Sequence, residues 1–221
     1  MENLKEIYFT SKEFDPEVSL LRDEIKNLPF RIRNWDAEIS KSALIVTDLQ
    51  NYFLSPDSHA FIPSAPAITP KINQLIGHFR KYRRPVIFTR HINDQTNANS
   101  MAWWWNDLIG EGTWMSKLVS DLDVQNDQIL VKHQYDAFYG TSLQEILKSG
   151  NIQFPVICGV MANLCCETTV RSAFVMGFRP LLPLDATAAY NRETHISTFR
   201  NLAFGFMPIL TTSELIAKIS P

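Results

Sequence analysis

Six short apolar runs punctuate the chain, at residues 42–47, 85–89, 128–131, 155–159, 179–184 and 206–210. They are continuous rather than alternating, the pattern of strands buried on both faces of a sheet. Between them lie stretches of helical period: 72–82, where Ile72, Leu75, Ile76 and Phe79 share a face, then 142–147 and 164–176. Strand alternating with helix predicts an α/β domain, a parallel sheet covered on both sides by helices. Open sheets of this kind bind ligands beyond the carboxyl ends of their strands, so chemistry is expected just after the apolar runs. Residues 1–40 break the pattern, with mixed charge, Pro16, Pro29 and one helical stretch at 20–28. They are expected to form an N-terminal extension packed on the domain or on a neighbouring subunit, ahead of a single domain at 41–221.

Composition narrows the possible partners. Of 221 residues, 45% are hydrophobic and 20% charged, enough apolar material for one full core, with no repeat or low-complexity tract. Net charge is -2, and no lysine and arginine cluster could neutralise a row of phosphates, so nucleic acid is not an expected partner. The start Met-Glu-Asn-Leu-Lys-Glu lacks the basic and apolar regions of a signal peptide, and no apolar run approaches the roughly 20 residues of a membrane span. A cytoplasmic protein with no membrane partner is expected. Cys158, Cys165 and Cys166 are odd in number and lack Cys-x-x-Cys spacing, which points to reduced thiols rather than disulfides or structural zinc.

Three apolar runs end in residues able to do chemistry. Asp48 follows 42–47, where a general acid or base would stand; an aspartate there would equally cap the next turn or helix. Lys132 follows 128–131 and could stabilise an anion, although most lysines after strands are solvated surface charges. The run at 155–159 leads into the helical segment 164–176, with Asn163 as its N-cap and Gly177 as its stop. A cysteine in the first turn lies near free N–H groups and the positive end of the helix dipole, and both favour thiolate. Cys166 shares a face with Val170, Ala173 and Phe174, expected against the sheet, whereas Cys165 shares one with Thr168, Thr169 and Ser172. Cys165 is therefore the exposed, reactive candidate, expected to react with thiol reagents well below pH 8; a packed, inert thiol is the competing reading. Cys158, inside a strand, reads as a small core residue.

Segments 44–53 (Leu-Ile-Val-Thr-Asp-Leu-Gln-Asn-Tyr-Phe), 132–141 (Lys-His-Gln-Tyr-Asp-Ala-Phe-Tyr-Gly-Thr) and 159–173 (Gly-Val-Met-Ala-Asn-Leu-Cys-Cys-Glu-Thr-Thr-Val-Arg-Ser-Ala) resemble, in order and spacing, three signature blocks of the isochorismatase-like cysteine hydrolases. That superfamily includes isochorismatases, nicotinamidases and N-carbamoyl amidohydrolases. The resemblance implies a Rossmann-like three-layer α/β/α sandwich with a six-stranded parallel sheet in the order 3-2-1-4-5-6, and Asp48, Lys132 and Cys165 meeting at its carboxyl edge as a catalytic triad. It also implies a cis peptide between Val160 and Met161, with the backbone N–H groups of Met161 and Cys165 forming an oxyanion hole. The expected reaction is hydrolysis of a C–N bond, amide or ureido, in a small molecule through a Cys165 thioester. Vinyl ether hydrolysis of isochorismate, with Asp48 as acid, is the alternative: the long extension and residues 50–54 favour it, while Cys165 and the pair Arg90-His91 oppose it. A catalytically inert binding domain on the same fold is a third reading, opposed by the filled triad. A homo-oligomer, dimer or tetramer, is expected. No cofactor is expected, and no metal, because Thr89-Arg90-His91-Ile92 supplies one histidine where nicotinamidases gather an aspartate and several histidines.

Phe53, Arg90, His91, Trp104, Tyr135 and Phe138 are the expected substrate-pocket residues, with Arg90 or Arg171 holding a substrate carboxylate. The run Met101-Ala102-Trp103-Trp104-Trp105, with Trp114 nearby, is too aromatic for a solvated loop and suits a core or subunit interface, or a lid over the site. His133 is ambiguous, and His59, His78 and His195 have no constellation around them.

Overall fold

The computed structural model describes residues 4–105 and 107–220. Four of the six apolar runs form strands within a residue or two of their expected bounds: β1 (Ser42–Thr47), β2 (Val86–His91), β3 (Gln128–Lys132) and β4 (Phe154–Val160). Every residue of β1 and β4 is buried. Successive strand residues face opposite ways, so the middle of the sheet is covered on both sides. All pairings are parallel.

The sheet has five strands, in the order β3-β2-β1-β4-β5, rather than the six expected. Pro180 and Pro183 explain the difference, because neither has an N–H to give to a ladder. The run at 179–184 touches β4 through a single bridge from Leu181 to Val156, and only the short β5 (Thr187–Ala188) pairs regularly. The sixth run is reduced to one parallel bridge from Leu210 to Pro183. Order and direction are otherwise those expected.

β3 also departs from the doubly buried pattern. Ile129 and Val131 are exposed, since the crossover from β2 to β3 holds only a four-residue helix, α4 (Met101–Trp104), and leaves that edge uncovered. The other crossovers are helical. With α1 (Phe14–Lys26) and α2 (Asn51–Leu54) before it, α3 (Ala65–Lys81) begins seven residues ahead of its expected start, with a proline in its first turn, where no N–H is needed. It buries Ile68, Ile72, Leu75, Ile76 and Phe79. After α5 (Leu143–Ser149), the chain following β4 winds as a π-helix over Ala162–Cys166 before α6 (Glu167–Val175), which stops at Gly177 as expected, with φ +89°.

Gly159 lets β4 lie close to β1 at the carboxyl edge. Its φ is +108°, and a Cβ there would fall 2.1 Å from the Thr47 carbonyl oxygen, so only glycine fits.

Residues 4–40 pack against the rest of the same chain. α1 lies against α7 (Arg192–Gly205) and buries Phe14, Val18, Leu21 and Ile25; α8 (Thr212–Ile219) closes the chain. Arg192 pairs with Glu17 at 2.6 Å and Glu24 at 2.8 Å. Ahead of α1, a strap is hydrogen-bonded along its length. Ser64 Oγ accepts from the N–H groups of Tyr8 and Phe9, Glu6 N–H donates to the Tyr190 carbonyl, and Lys5 Nζ donates to the His59 carbonyl. The Tyr8 hydroxyl accepts from Ala189 N–H and donates to His195 Nδ1 at 2.8 Å. No helix among the described residues is long and apolar enough to cross a membrane.

Candidate active site

Three strand ends deliver the three expected groups to one point. After β1 the chain turns sharply at Asp48, whose φ of +53° is tolerated by aspartate better than by most residues. The turn sends its carboxylate beneath the sheet edge, where Oδ1 accepts from Thr89 Oγ1 at 2.6 Å and Oδ2 meets Lys132 Nζ at 2.7 Å. Lys132, the last residue of β3, is fully buried and not a surface charge. From β4 comes Cys165, reached through a cis Val160–Met161 bond and the π-helix, with its Sγ 3.4 Å from Lys132 Nζ.

Cys165 is not exposed, as helix-face reasoning expected; it is 3% accessible and opens only onto an internal pocket. The 3.6-residue period fails here because residues 162–166 wind as a π-helix and α6 begins only at Glu167. Cys166 does turn into the core, accepting from Thr187 Oγ1, and Cys158 is a core thiol. Asn163 caps nothing, since Met161 occupies the N-cap position.

The electrostatics also revise the expected thiolate. Burial pushes the Cys165 thiol well above its ordinary range, Lys132 pulls it down, and the Asp48 carboxylate adds to the rise. That direction favours a resting thiol beside the Asp48 carboxylate over a preformed thiolate. Burial opposes the charge of Lys132, but Asp48 and Cys165 outweigh it and hold the ammonium above its usual value.

His91, at the end of β2, is a fourth member that sequence reasoning placed only as a substrate contact. Its Nδ1 lies 3.2 Å from Lys132 Nζ, and its Nε2–H donates to Asn93 Oδ1. Burial, and secondly the Lys132 charge, push its pKa down to about 4. His195 is likewise held neutral, down to about 3, chiefly by burial. Both histidines bind protons more readily once unfolded, so stability is expected to fall as pH drops below about 6.5 and to keep falling towards 4, by up to about 1.4 kcal/mol per pH unit for each. His195→Gln, which can still accept from Tyr8, should flatten that dependence between pH 6.5 and 5 in thermal melts. An unchanged slope would discount His195.

Donor atoms of Asp48, His91 and Cys165 lie within 4.8 Å of one another, the one such grouping among the described residues. They do not fit a metal ion, because the Lys132 ammonium already sits 2.7, 3.2 and 3.4 Å from them. A divalent cation would have to displace a buried, paired charge.

Aromatic and aliphatic side chains wall the pocket above Cys165. Phe53 and Tyr135 line it as expected; Trp105 joins them, donating from Nε1 to the Tyr135 hydroxyl at 2.8 Å, and Tyr190 and Leu164 complete the wall. At its margin the Tyr52 hydroxyl donates to Asp107, with His59 Nε2 2.7 Å from the hydroxyl and 2.8 Å from the carboxylate, so His59 has a constellation after all.

Four expected pocket residues lie elsewhere. Arg90 precedes His91 on one strand and so faces the other way, towards Glu111 at 3.8 Å. Trp104 is exposed, as is Trp103, while Met101 and Trp105 line the pocket; the aromatic run is thus a pocket wall on one side and open surface on the other. Phe138 belongs to the core, stacked on Phe178. Arg171 pairs with Glu167 at 2.7 Å and covers the Phe206 ring. His133 donates to the Ile92 carbonyl. No arginine or lysine is among the described residues that line the pocket.

Comparison with known proteins places this geometry in context. Residues 42–214 match the family model of the isochorismatase domain. The chain is 36% identical over 191 residues to nicotinamidase 3 of Arabidopsis thaliana, covering 84% of this chain and 92% of that protein. It is 27% identical over 206 residues to enterobactin synthase component B of Escherichia coli K12, covering 90% and 70%. Among solved structures, a cysteine hydrolase from Pseudomonas syringae superposes with a TM-score of 0.79 at 23% identity, covering 86% of this chain and 98% of that one. N-carbamoylsarcosine amidase from Thermoplasma acidophilum gives 0.69 at 24% identity, covering 79% and 98%. With most of its length matched by the family model and the fold shared with these structures, the chain belongs to the isochorismatase family of hydrolases.

Proposed function

We propose that the protein hydrolyses the C–N bond of a small, uncharged aromatic amide through a Cys165 thioester. The observation that carries this reading is the meeting of Cys165 Sγ, which lines an apolar pocket, with Lys132 Nζ and Asp48 Oδ2 buried behind it, a nucleophile within reach of both a cation and a base. The thiol proton passes to Asp48 as sulfur attacks the amide carbonyl. The N–H groups of Met161 and Cys165 hold the oxyanion, and Lys132 keeps its charge throughout. Asp48 then gives the proton to the leaving nitrogen, the C–N bond breaks, and a thioester remains. Water attacks that ester with Asp48 again as base, releasing the carboxylic acid and restoring the thiol.

The choice of amide over isochorismate rests on the wall of the pocket. Isochorismate carries two carboxylates, and no arginine or lysine among the described lining residues meets them; Asp107 would repel them. The likeness to a plant nicotinamidase makes a heteroaromatic primary amide the first compound to try. The test is a panel of nicotinamide, other aryl amides, ureido acids and isochorismate, scored for ammonia or pyruvate. Ammonia from an uncharged amide is expected, with a mass increment on Cys165 when the reaction is quenched early. Pyruvate from isochorismate, unchanged in Cys165→Ala, would overturn the reading.

A further inference from the structure

The pocket above Cys165 is walled mostly by apolar side chains, so the few polar hydrogens that face it decide what else a ligand must offer. Most are already committed. Tyr52 O–H donates to Asp107, His91 Nε2–H to Asn93 Oδ1, and Asn93 Nδ2 to the His133 carbonyl at 2.9 Å. Trp105 Nε1 donates to the Tyr135 hydroxyl oxygen at 2.8 Å. Two lining hydroxyls, those of Tyr135 and Tyr190, have no acceptor among the described residues. Only that of Tyr135 is held in place. An oxygen that accepts from the indole has its own hydrogen turned elsewhere, and the bond it accepts strengthens the one it can give. The backbone on either side of Tyr135 is pinned as well. The Gln134 carbonyl accepts from Lys132 Nζ at 2.9 Å, while the Asp136 carboxylate accepts from Ser172 Oγ at 2.7 Å and from Phe138 N–H at 2.9 Å. Lys132 Nζ also lies 3.4 Å from Cys165 Sγ, so the free O–H and the sulfur stand on one frame.

We propose that Tyr135 is a specificity-determining residue whose O–H donates to an acceptor atom on the ring of the substrate, so that the pocket selects amides of nitrogen heteroaromatics over those of carbocycles. The inference rests on the amidase reading above and narrows its substrate class. In that reading the scissile amide is fully engaged: its oxygen meets the N–H groups of Met161 and Cys165, and its nitrogen leaves with the proton from Asp48. The Tyr135 donor is therefore left for the ring. A bare ring nitrogen carries its lone pair in the ring plane and can accept at the wall. A carbocyclic ring of the same shape covers the hydroxyl, excludes water from it and gives nothing back, which leaves a desolvated donor unpaired. Burial holds the Tyr135 hydroxyl above its usual pKa, against the smaller lowering by the Trp105 bond, so it stays a neutral donor at neutral pH. A neutral donor suits an uncharged substrate.

Calorimetric binding to Cys165→Ala, which cannot turn the ligands over, tests this with benzamide and its three pyridine counterparts, picolinamide, nicotinamide and isonicotinamide. One isomer, the one whose nitrogen meets Tyr135, should bind about tenfold tighter than benzamide, and the other two no tighter than benzamide. Adding Tyr135→Phe should bring that ratio to within about twofold by weakening the favoured isomer alone. Because this change frees the Trp105 N–H, Tyr135→Phe is also measured together with Trp105→Phe, and the same levelled ratio is expected. The isomer comparison stands by itself if the Tyr135 variants fail to fold. Equal affinity for all four amides, no measurable binding of any, or an isomer preference that survives Tyr135→Phe with Trp105 present and replaced would overturn the proposal. Ammonia release in the substrate panel, beside binding that ignores the ring nitrogen, would sink this inference alone. Tyr135-dependent selective binding without ammonia release would sink the amidase reading alone, so the two failures are distinct.

Discussion

Cys165→Ala is expected to lower kcat/KM by about 10⁴-fold or more while leaving the fold intact. The loss follows from removing the only atom that can form the thioester; what remains is binding and whatever oxyanion stabilisation water attack can use. The fold should survive because the buried Lys132–Asp48 ion pair, 2.7 Å apart, does not pass through the sulfur. The Gln134 carbonyl at 2.9 Å and His91 Nδ1 at 3.2 Å still accept from the Lys132 ammonium. A side chain as small as cysteine leaves little void, so the melting temperature should fall by only a few degrees. Steady-state turnover and a thermal melt on the same preparation check both halves. Activity within tenfold of the parent would show that the thiol is not the nucleophile.

Lys132→Met should be costly twice over. Methionine nearly preserves shape but removes the charge opposite Asp48, leaving a fully buried carboxylate with the Thr89 hydroxyl as its remaining side-chain partner. Breaking a buried pair from one side costs about 3–5 kcal/mol, because the orphaned charge must be protonated or hydrated. Denaturant unfolding near neutral pH should report a loss of that size. Turnover should fall about 10³-fold, since nothing then stabilises developing negative charge on sulfur. The double variant Lys132→Met, Asp48→Asn should recover much of the stability and none of the activity. A single variant within 1 kcal/mol of the parent would show the pair is not electrostatically coupled.

The meeting of Asp48, Lys132 and Cys165 was legible because the three blocks that hold them resemble one family's signatures; standing after an apolar run left each open to a blander reading. The walls were not, since Asn93, Met101, Trp105, Asp107, Leu108 and Ile109 come from the long crossover between β2 and β3, where no period ties position to direction. Trp105 rather than Trp104 faces the pocket for that reason. Arg90 could have been excluded, because neighbours on a strand face apart and only one of Arg90 and His91 can reach the site. Phe138 sits in a block that marks the site, yet its ring packs on Phe178, a partner 40 residues away that no local pattern names. The nearness of His91 to Lys132 follows from pairing the ends of β2 and β3, which no local pattern gives. The burial of Cys165 was missed because a π-helix is invisible to a 3.6-residue period.

The strap at residues 4–9 binds two loops that carry pocket residues: Glu6 fastens Tyr190, and Lys5 fastens the carbonyl of His59, whose ring meets Tyr52. Selectivity is therefore open to change from a stretch that holds no reacting group and precedes the first strand by more than 30 residues. A library built there should alter which amides are accepted while leaving the thiol chemistry alone.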